Sequence, residues 1–380
     1  MKQNESLSEY CFRLAQVKDE NQWTWQDIAD IIYANSGYVL TSNAVKKRVR
    51  KISAPKENDL SPLERYKLAD ERTQISAIYR RMAREDTLKE IAHDFAQTMN
   101  SKLALPAVKP NKLQICNSNP KIGLLCISDW HYGIEIENFY NKYNTDIAKE
   151  RISKLQQEVI NIVKKENLTR VIILNLGDLI GGRIHLQLRI NSRIDVITQT
   201  MEVAEILAEF IQGISTVVDV NYYSTLDNHS RLEPNLKDSI DLESLVRIID
   251  WYLEERLSGN QNVIISRNTF SDDIITFKIF DYHIAGVHGH KDKPNKIIDS
   301  LSMYTHNHQD LICSAHYHHF SSEEKNETLW ISNSSLMGTD DYASNLRLNA
   351  KPAQILIVAS ADNVCECLYK INLDTEQGRK

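Results

Sequence analysis

The sequence lacks features that would assign it to a membrane, secreted or disulfide-stabilised class. No apolar run approaches the roughly 20 residues that a membrane-spanning helix needs, so we expect no membrane partner. The stretch MKQNESLSEY contains no hydrophobic signal segment, and we therefore expect a cytoplasmic protein. The 6 cysteines show no CxxC spacing, which favours reduced core thiols over a metal-binding or disulfide framework.

Length and charge predict a globular protein of more than one unit. A chain of 380 residues with 42% hydrophobic and 25% charged residues is typical of one large core plus a smaller domain. The net charge of -6 argues against binding nucleic acid by bulk charge. Residues 1–110 nevertheless carry 18 Lys and Arg against 15 Asp and Glu, a net charge of +3, so the remainder carries -9. Of 12 histidines only His93 lies outside residues 131–319, which favours a functional site there.

Residues 1–55 have the pattern of a small helical domain. Thr24 is placed to cap a second helix with Asp27 at its third position, and a third helix is expected over residues 43–52. That third helix contains the basic residues Lys46, Lys47, Arg48 and Arg50. The layout resembles helix-turn-helix modules, whose second helix enters the major groove of DNA, and predicts these four side chains as DNA contacts. The alternative is a charged, solvated face on a small helical bundle.

Residues 56–119 are expected to form a helical connector and a linker. Ser61 and Pro62 begin a charged pattern with one apolar face that continues to about residue 104. Pro106 and Pro110 then indicate a linker. A helix of this length is either a connector packed on a neighbour or an arm through which the protein forms a homodimer.

Residues 120–380 alternate between strand and helix patterns, which predicts a layered α/β domain. Expected helices include residues 144–166 and 239–257, and the last expected strand covers residues 364–369. Five of the expected strands end in polar residues that are common metal ligands. In chain order these ends are Asp129-x-His131, Gly177-Asp178, Asn228-His229, His288-Gly289-His290 and His316-x-His318.

The ordered set resembles the calcineurin-like metallophosphoesterase superfamily. The superfamily pattern is D-x-H, G-D-x-x-D, G-N-H-[DE], H and G-H-x-H, and the resemblance covers roughly residues 120–340. It implies a two-sheet β-sandwich flanked by helices. The stretches GDLIGGRIHLQLRI, DNHSR and NSSLMGTDDYA further resemble a phage and prophage subgroup that is described as repair-nuclease-like.

The resemblance also implies a role for each residue of the strand ends. The first of two divalent metal ions would be held by Asp129, His131 and His318, and the second by Asn228, His288 and His316. Asp178 would bind both ions. His229 stabilises the transition state or protonates the leaving oxygen. Such a site attacks phosphorus with a metal-bridging hydroxide. Nitrogen and oxygen ligands together favour Mn, with Fe or Zn as alternatives, over Mg or Ca.

Four positions depart from the superfamily pattern, and none of them removes a ligand. The second acid of G-D-x-x-D is Gly181, which puts the support of the ligands in doubt. Asp227 replaces the glycine before N-H, Ser230 replaces the acid after it, and Ala315 replaces the glycine of G-H-x-H.

Residues around the strand ends supply further candidates. His185, Arg189 and Arg231 are predicted to bind the substrate phosphate, and Arg193 follows His185 and Arg189 after the Gly181-Gly182 loop. The alternative for each arginine is a surface ion pair. His290 and His319 adjoin predicted ligands and could take their places. His306 and His308 are expected to be exposed bystanders on a loop, and His283, which alternates with core residues in a strand, is expected to be structural.

Three functions remain open at this stage. The first is a DNA nuclease in which a basic N-terminal domain brings an acidic catalytic domain to DNA. The second is a phosphodiesterase or phosphatase for a nucleotide, a cyclic nucleotide or another small molecule. The third is a non-catalytic DNA-binding regulator that retains the metal site.

Overall fold

The chain divides into two compact units, Met1–Lys89 and Glu90–Lys380. The computed structural model describes residues 2, 5–53, 70, 72–76, 79, 119–184, 189–190, 192–345, 347–375 and 378. The predicted connector and linker fall outside the described residues, except for short pieces at 70, 72–76 and 79, which are helical. The predicted dimerisation arm therefore stays a prediction. No helix in the described part of the chain combines the length and apolarity needed to cross a bilayer.

Residues 5–53 of the first unit form three short helices around a small apolar core. They are α1 (Leu7–Gln16), α2 (Trp25–Ser36) and α3 (Ser42–Ser53). Each helix contributes to the core because its apolar residues recur at helical spacing. The buried members are Tyr10, Cys11, Leu14, Ile28, Ala29, Ile32 and Val45.

Local capping sets where these helices begin and end. Ser6 and Glu9 form a capping box at the start of α1, and Thr24 and Asp27 form one at the start of α2. The predicted capping of α2 is therefore confirmed. The α2 helix ends at Gly37, whose φ of 73° is the left-handed conformation that favours glycine.

The second unit begins with a six-stranded sheet. Its strands, in spatial order, are β13 (Cys367–Asn372), β12 (Ala353–Ala359), β1 (Lys121–Ile127), β4 (Leu168–Asn175), β5 (Asp219–Ser224) and β6 (Val263–Ile265). β1 pairs parallel with β4 and antiparallel with β12, so it is a central strand of this sheet. β4, β5 and β6 continue the parallel half of the sheet.

A five-stranded sheet forms the second layer. Its strands, in spatial order, are β10 (Ser321–Lys325), β11 (Thr328–Ser332), β9 (Leu311–Ser314), β8 (Tyr282–Val287) and β7 (Ile274–Ile279). β8 and β9 run parallel, so their carboxyl ends lie side by side. A separate two-stranded ribbon joins β2 (Ile136–Glu137) to β3 (Lys142–Tyr143).

The two sheets pack face to face, and helices cover their outer faces. Alternate residues of the strands point to opposite sides, so Ile275 and Ile284 enter the core between the sheets while Ile274 and Ala285 contact a helix. That helix is α7 (Ile297–Thr305). The six-stranded sheet contacts α4 (Thr145–Glu166), α5 (Val196–Ser215) and α6 (Val246–Arg256), and a last helix, α8 (Asp341–Asn345), follows β11. The predicted α/β fold, a two-sheet sandwich flanked by helices, is confirmed.

Two predicted elements have the wrong bounds. The helix expected over residues 239–257 begins only at Val246, because the segment before it is an irregular loop that exposes Ile240 and Leu242. The strand expected over residues 364–369 is β13, displaced toward the carboxyl end by three residues. β6, β10 and α7 were not predicted. The expectation of reduced cysteines agrees with the free thiols of Cys11, Cys126, Cys313, Cys365 and Cys367 among the described residues.

Candidate metal centre

The predicted ligands follow strands that are neighbours in the two sheets. β1, β4 and β5 are adjacent and parallel, and β8 and β9 are adjacent and parallel in the second sheet. Parallel neighbours present their carboxyl ends at one edge, which is where open sheets of this kind bind ligands. The polar residues that follow these five strands are thereby brought together at one edge of the sandwich.

The loops after β1 and β4 are tied to each other by their backbones. The amide of Asp129 donates to the carbonyl of Gly177 (3.0 Å), and the amide of His131 donates to the carbonyl of Asp178 (3.0 Å). These bonds hold the two loops at a set distance. The side chains of Asp129, His131 and Asp178 therefore project from a constrained frame.

Left-handed backbone conformations are concentrated in the same residues. The φ angles are 52° at Asp129, 44° at His131, 54° at Asp178, 72° at His316 and 60° at His318. A residue other than glycine adopts this region at a cost of about 1 kcal/mol or more. Backbone strain that recurs after β1, β4 and β9 is typical of a functional site, where the direction of the side chains is maintained at the expense of backbone energy.

The first set of ligand atoms belongs to Asp129, His131 and His318. One ligand atom from each residue lies within 4.8 Å of the others. The Nε2 atoms of His131 and His318 are 3.1 Å apart, and Nε2 of His318 is 3.5 Å from Oδ1 of Asp129. Oδ1 of Asp129 is buried and has no hydrogen-bond partner among the described residues, which is costly unless a cation or another ligand satisfies it. The set therefore fits a metal ion.

The second set belongs to Asp178, His288 and His316. Their ligand atoms also lie within 4.8 Å of one another, and Nε2 of His288 is 3.1 Å from Oδ2 of Asp178. Oδ1 of Asn228 lies 2.9 Å from the same Nε2 atom. Because the carbonyl of Leu176 can only accept, the Nδ1 atom of His288 donates to it (2.7 Å) and leaves Nε2 directed at Asp178. This hydrogen bond fixes the orientation of the His288 ring, and metal-ligating histidines usually have such a bond on their other ring nitrogen.

Asp178 lies between the two sets, and His229 lies beside it. Nε2 of His131 is 3.9 Å from Oδ2 of Asp178, and Nε2 of His229 is 3.8 Å from the same oxygen. The Nδ1 atom of His229 donates to the carbonyl of Gly181 (2.8 Å). His131, Asp178 and His229 form a third set of ligand atoms within 4.8 Å. Asp178 thus belongs to the second and third sets and His131 to the first and third, so the third set connects the two candidate metal positions.

The electrostatics of the site favour ionised Asp178. Burial alone would raise the pKa of its carboxyl group, but nearby His229 and His288 lower that pKa well below its usual value. Burial, followed by the repulsion of His229, lowers the pKa of His131 well below its usual value. An ionised carboxylate and a neutral imidazole are the protonation states that metal ligation requires.

His288 behaves differently because it lies against the Asp178 carboxylate. Burial opposes a charge on its ring, yet the attraction of Asp178 outweighs burial and raises the pKa of His288 to about 10. The position therefore favours positive charge. A cation ligated by both side chains would displace that proton, since metal binding and protonation compete for the same lone pair.

Two departures from the superfamily pattern form one hydrogen-bonded bridge. Oδ2 of Asp227 accepts from the amide of Asp178 (2.9 Å), and its Oδ1 accepts from the amide (2.7 Å) and the hydroxyl (2.6 Å) of Ser230. Burial, followed by the charge of Asp178, raises the pKa of Asp227 to about 6. Asp227 and Ser230 therefore join the loops after β4 and β5, a role that the sequence comparison did not suggest.

Gly181, which stands where the superfamily pattern has its second acid, and the following Gly182 are both closely surrounded by other residues. A Cβ atom at Gly181 would lie 2.7 Å from Cγ1 of Ile134, and one at Gly182 would lie 2.1 Å from the carbonyl oxygen of His229. Neither position has room for a side chain. The carbonyl of Gly181 instead orients His229, so this departure leaves the site supported.

Two serines that the motifs do not include hold Asp129 in place. The hydroxyl of Ser128 donates to Oδ2 of Asp129 (2.7 Å), which leaves Oδ1 for the first set. The hydroxyl of Ser335 donates to the Asp129 carbonyl (2.9 Å). Ser128 stands next to Asp129 in the sequence and could have been proposed from that position, whereas the contact of Ser335 depends on the fold.

The predicted phosphate-binding residues are not gathered in the cluster. The guanidinium of Arg231 donates to the carbonyl of Pro234 (3.1 Å), so it supports its own loop. Arg189 is exposed, and Arg193 forms a surface ion pair with Glu135 (2.9 Å). His185 lies outside the described residues. The phosphate-binding roles of His185, Arg189 and Arg231 stay predictions.

The histidines that adjoin the ligands separate into two groups. His290 lies with its ring centroid 5.3 Å from that of His288, and burial followed by the repulsion of His288 lowers its pKa to about 3. His319 is exposed and its Nδ1 atom is 2.7 Å from the carbonyl of Tyr317. His290 is therefore near the second set and His319 is directed elsewhere. As expected for bystanders, His306 and His308 are exposed.

The predicted DNA contacts in the first unit all lie on α3. Lys47 and Arg50 are exposed, and the ammonium group of Lys46 lies 6.0 Å from the ring centre of Trp25. Arg48 donates to the carbonyl of Ala44 (3.3 Å). The four residues form a basic surface on one helix, and their contact with DNA stays a prediction.

Comparison with known proteins gives distant similarities. No family model matches the chain. An uncharacterized protein derived from the SPbeta prophage of Bacillus subtilis is 25% identical over 381 residues, covering 92% of each chain. A solved archaeal phosphodiesterase is 16% identical, with a TM-score of 0.33, over 66% of this chain and 99% of that chain. Vps29 of Entamoeba histolytica in complex with zinc is 11% identical, with a TM-score of 0.31, over 66% of this chain and 99% of that chain.

Proposed function

We propose that this protein is a dimetal phosphodiesterase that cleaves DNA. One observation carries the proposal: Oδ2 of Asp178 lies 3.1 Å from Nε2 of His288 in the second set and 3.9 Å from Nε2 of His131 in the first set. A shared carboxylate is how two-metal sites hold their cations roughly 3.5–4 Å apart. Cations bound there acidify a water molecule and draw charge from the oxygens on phosphorus.

The donor set indicates which cations would bind. Imidazole nitrogens outnumber carboxylate oxygens among Asp129, His131, Asp178, Asn228, His288, His316 and His318. Such a mixture suits Mn, Fe or Zn, whereas Mg and Ca prefer oxygen ligands alone. We propose Mn as the native cation, with Fe and Zn as the alternatives to compare in a reconstitution experiment.

His229 is the residue that we assign to proton transfer. Its Nδ1 atom donates to the Gly181 carbonyl, so the ring is fixed and Nε2 is directed toward the shared Asp178. Because Nδ1 carries the proton donated to Gly181, the imidazolium form of the ring holds its second proton on Nε2, and this is the proton that it can donate to the leaving oxygen. Replacing His229 by Ala should retain both metals and lower activity, by about 100-fold or more, because general acids contribute roughly 10²–10⁴-fold.

DNA is the substrate that the whole chain supports best. The sandwich belongs to the acidic part of the chain, which alone is a poor partner for a polyanion. The basic helix α3, with Lys46, Lys47, Arg48 and Arg50, supplies the charge that it lacks. We propose that α3 holds duplex DNA and that the cleaved strand reaches the sandwich edge.

One assay separates the possible functions. Protein purified with Mn is offered single-stranded DNA, duplex DNA, bis-nitrophenyl phosphate and nitrophenyl phosphate. Cleavage of DNA together with the small diester supports the nuclease. Hydrolysis of the small diester with no DNA cleavage under any metal would favour a small-molecule phosphodiesterase. DNA binding that survives Asp178→Asn with no hydrolysis by the wild type would favour the non-catalytic regulator.

A further inference from the structure

A cavity of about 370 Å³ begins beside the candidate metal centre. Its lining includes Leu226, His288, His290, Lys291, Leu301 and Tyr304. His288 belongs to the second ligand set, and Leu226 lies in the loop after β5 that also bears Asn228 and His229. A group bound in this cavity could therefore belong to the same molecule as a phosphate bound at the cluster. A volume of this order suits a small organic group, since ligand pockets span roughly 300–1,000 Å³.

Tyr304, which lines the cavity, contacts a second exposed aromatic ring, that of Phe270. The rings of Phe270 and Tyr304 meet edge to face, with centroids 5.7 Å apart and planes at 81°. Phe270 is 46% exposed and Tyr304 is 62% exposed, whereas Leu301 on the same helix is buried against the five-stranded sheet. Helix α7 is thus anchored by its inner face and presents Tyr304 outward. Large exposed aromatic side chains beside a site are more typical of binding than of stability.

The charges of the cavity exclude a second phosphate. The ammonium group of Lys291 is already paired with Asp241 and Asp273, at 2.9 Å from each. Asp292 adds another carboxylate to the lining, and burial followed by the charge of Asp273 raises its pKa. The lining therefore carries the carboxylates of Asp273 and Asp292 and one ammonium group that is already paired, a balance that disfavours an anion. These carboxylates can accept hydrogen bonds from an uncharged group, such as the amino edge of a nucleobase.

We propose that this cavity holds one unpaired nucleobase of the substrate, stacked on Tyr304 with Phe270 beside it. The proposal rests on the phosphodiesterase function proposed above and names the part of the substrate that flanks the cleaved bond. A base inside a duplex has both faces covered by its neighbours, so it must leave the stack to enter such a pocket. The protein should therefore prefer single-stranded, frayed or terminal nucleotides at the cleaved position.

The kinetic test compares Tyr304→Ala with Tyr304→Phe and with Tyr140→Ala. Tyr140 is also half exposed in the second unit and does not line the cavity, so it is a matched control. With a single-stranded pentanucleotide, Tyr304→Ala should raise KM about ten-fold with little change in kcat, because stacking contributes to binding by roughly this factor or more. Tyr304→Phe and Tyr140→Ala should match the wild type. An abasic residue next to the cleaved bond should raise KM for the wild type and remove the effect of Tyr304→Ala.

A binding test without catalysis completes the experiment. A trinucleotide that contains 2-aminopurine is titrated with metal-free protein in EDTA, and stacking is followed as loss of 2-aminopurine fluorescence. The wild type and Tyr304→Phe should quench it, and Tyr304→Ala should not. Equal KM and equal quenching for Tyr304→Ala and wild type would overturn the proposal. If the wild type cleaves no nucleic acid yet quenches through Tyr304, the nuclease proposal fails and the stacking proposal stands.

Discussion

The two units carry their candidate functional residues in opposite ways. In the first unit, Lys46, Lys47, Arg48 and Arg50 all belong to α3 (Ser42–Ser53), so local sequence places them on one element. In the second unit, the candidate ligands follow five strands, and only the pairing of those strands brings them together. The sequence of the first unit therefore places the basic residues on one helix but does not identify what they bind. A ligand cluster reveals its chemistry but needs the fold to assemble it.

The largest effect should follow from removing the shared carboxylate. Asp178→Ala should reduce hydrolysis of bis-nitrophenyl phosphate by well over 100-fold, since even outer partners of metal ligands contribute roughly 10–100-fold. Metal content, measured by mass spectrometry, should fall as well. Affinity for duplex DNA should stay close to wild type because α3 is intact. Asp281→Ala, whose side chain is fully exposed, is the matched control and should change neither quantity. Wild-type metal content in Asp178→Ala would contradict the shared-ligand assignment.

The reciprocal change tests the first unit. Replacing Lys47 and Arg50 by Glu should weaken duplex DNA binding by about ten-fold or more. The slope of log Kd against log salt should fall by about 2, because two phosphate contacts are lost. Hydrolysis of bis-nitrophenyl phosphate should not change. The same reversal at the exposed Lys164 and Arg170 of the second unit is the control. Equal loss of DNA affinity in both double variants would indicate a diffuse charge effect and not a DNA-binding helix.

A smaller effect should come from the bridge between the loops after β4 and β5. Asp227→Ala leaves the amides of Asp178 and Ser230 without their acceptor, which should cost about 2–3 kcal/mol of unfolding free energy. Misplacement of Asp178 should also lower activity by roughly 10–100-fold. Ser230→Ala removes the hydroxyl contacts with Asp227 and Ser244 but keeps the bond from the Asp178 amide, and should cost about 1–2 kcal/mol. Urea unfolding measures the change in unfolding free energy, and the kinetics of bis-nitrophenyl phosphate hydrolysis measure the change in activity. Unchanged activity in Asp227→Ala would show that the bridge does not position Asp178.

The smallest effect should be a pH dependence of stability away from the candidate metal centre. Burial raises the pKa of Asp250 to about 6, while the hydroxyls of Ser224 and Tyr222 donate to it and partly oppose this shift. Because the folded pKa exceeds the unfolded one, the protonated carboxyl stabilises the fold at low pH. That contribution is lost as pH rises through about 6. Relative to wild type, Asp250→Asn should therefore gain about 2 kcal/mol between pH 4 and pH 7. A stability difference that does not vary with pH would contradict the raised pKa.

Elements with strong periodicity could be predicted from the sequence, and elements that depend on context could not. β9 (Leu311–Ser314) and β11 (Thr328–Ser332) are short, largely apolar runs between polar residues, a pattern that predicts strands at these positions. β10 (Ser321–Lys325) reads SSEEK and has no apolar residue. It is an edge strand, whose backbone pairing with β11 needs no buried side chain. The helix predicted from residue 239 was too long because Ile240 and Leu242 resemble core residues but are exposed.

The candidate site divides in the same way. Order and spacing indicated the candidate ligands, which stand within a few residues of the ends of their strands, and the resemblance to the superfamily implied a dimetal centre. They did not identify Ser335 or the joint role of Asp227 and Ser230, which depend on contacts between loops that are distant in the chain. Nor did they indicate that Gly181 has no room for an acid beside Ile134.

The sequence by itself determined the α/β class of the second unit, the strands that end in candidate ligands and the helix that carries the basic surface. These properties follow from periodicity and neighbouring residues, which act within a few positions of the chain. The tertiary structure decided that Asp178 lies between the two ligand sets, that His229 is oriented by Gly181, and that Tyr304 stands exposed at a cavity that His288 also lines. Such properties depend on distances between residues from separate strands and loops, and only the pairing of the sheets sets those distances.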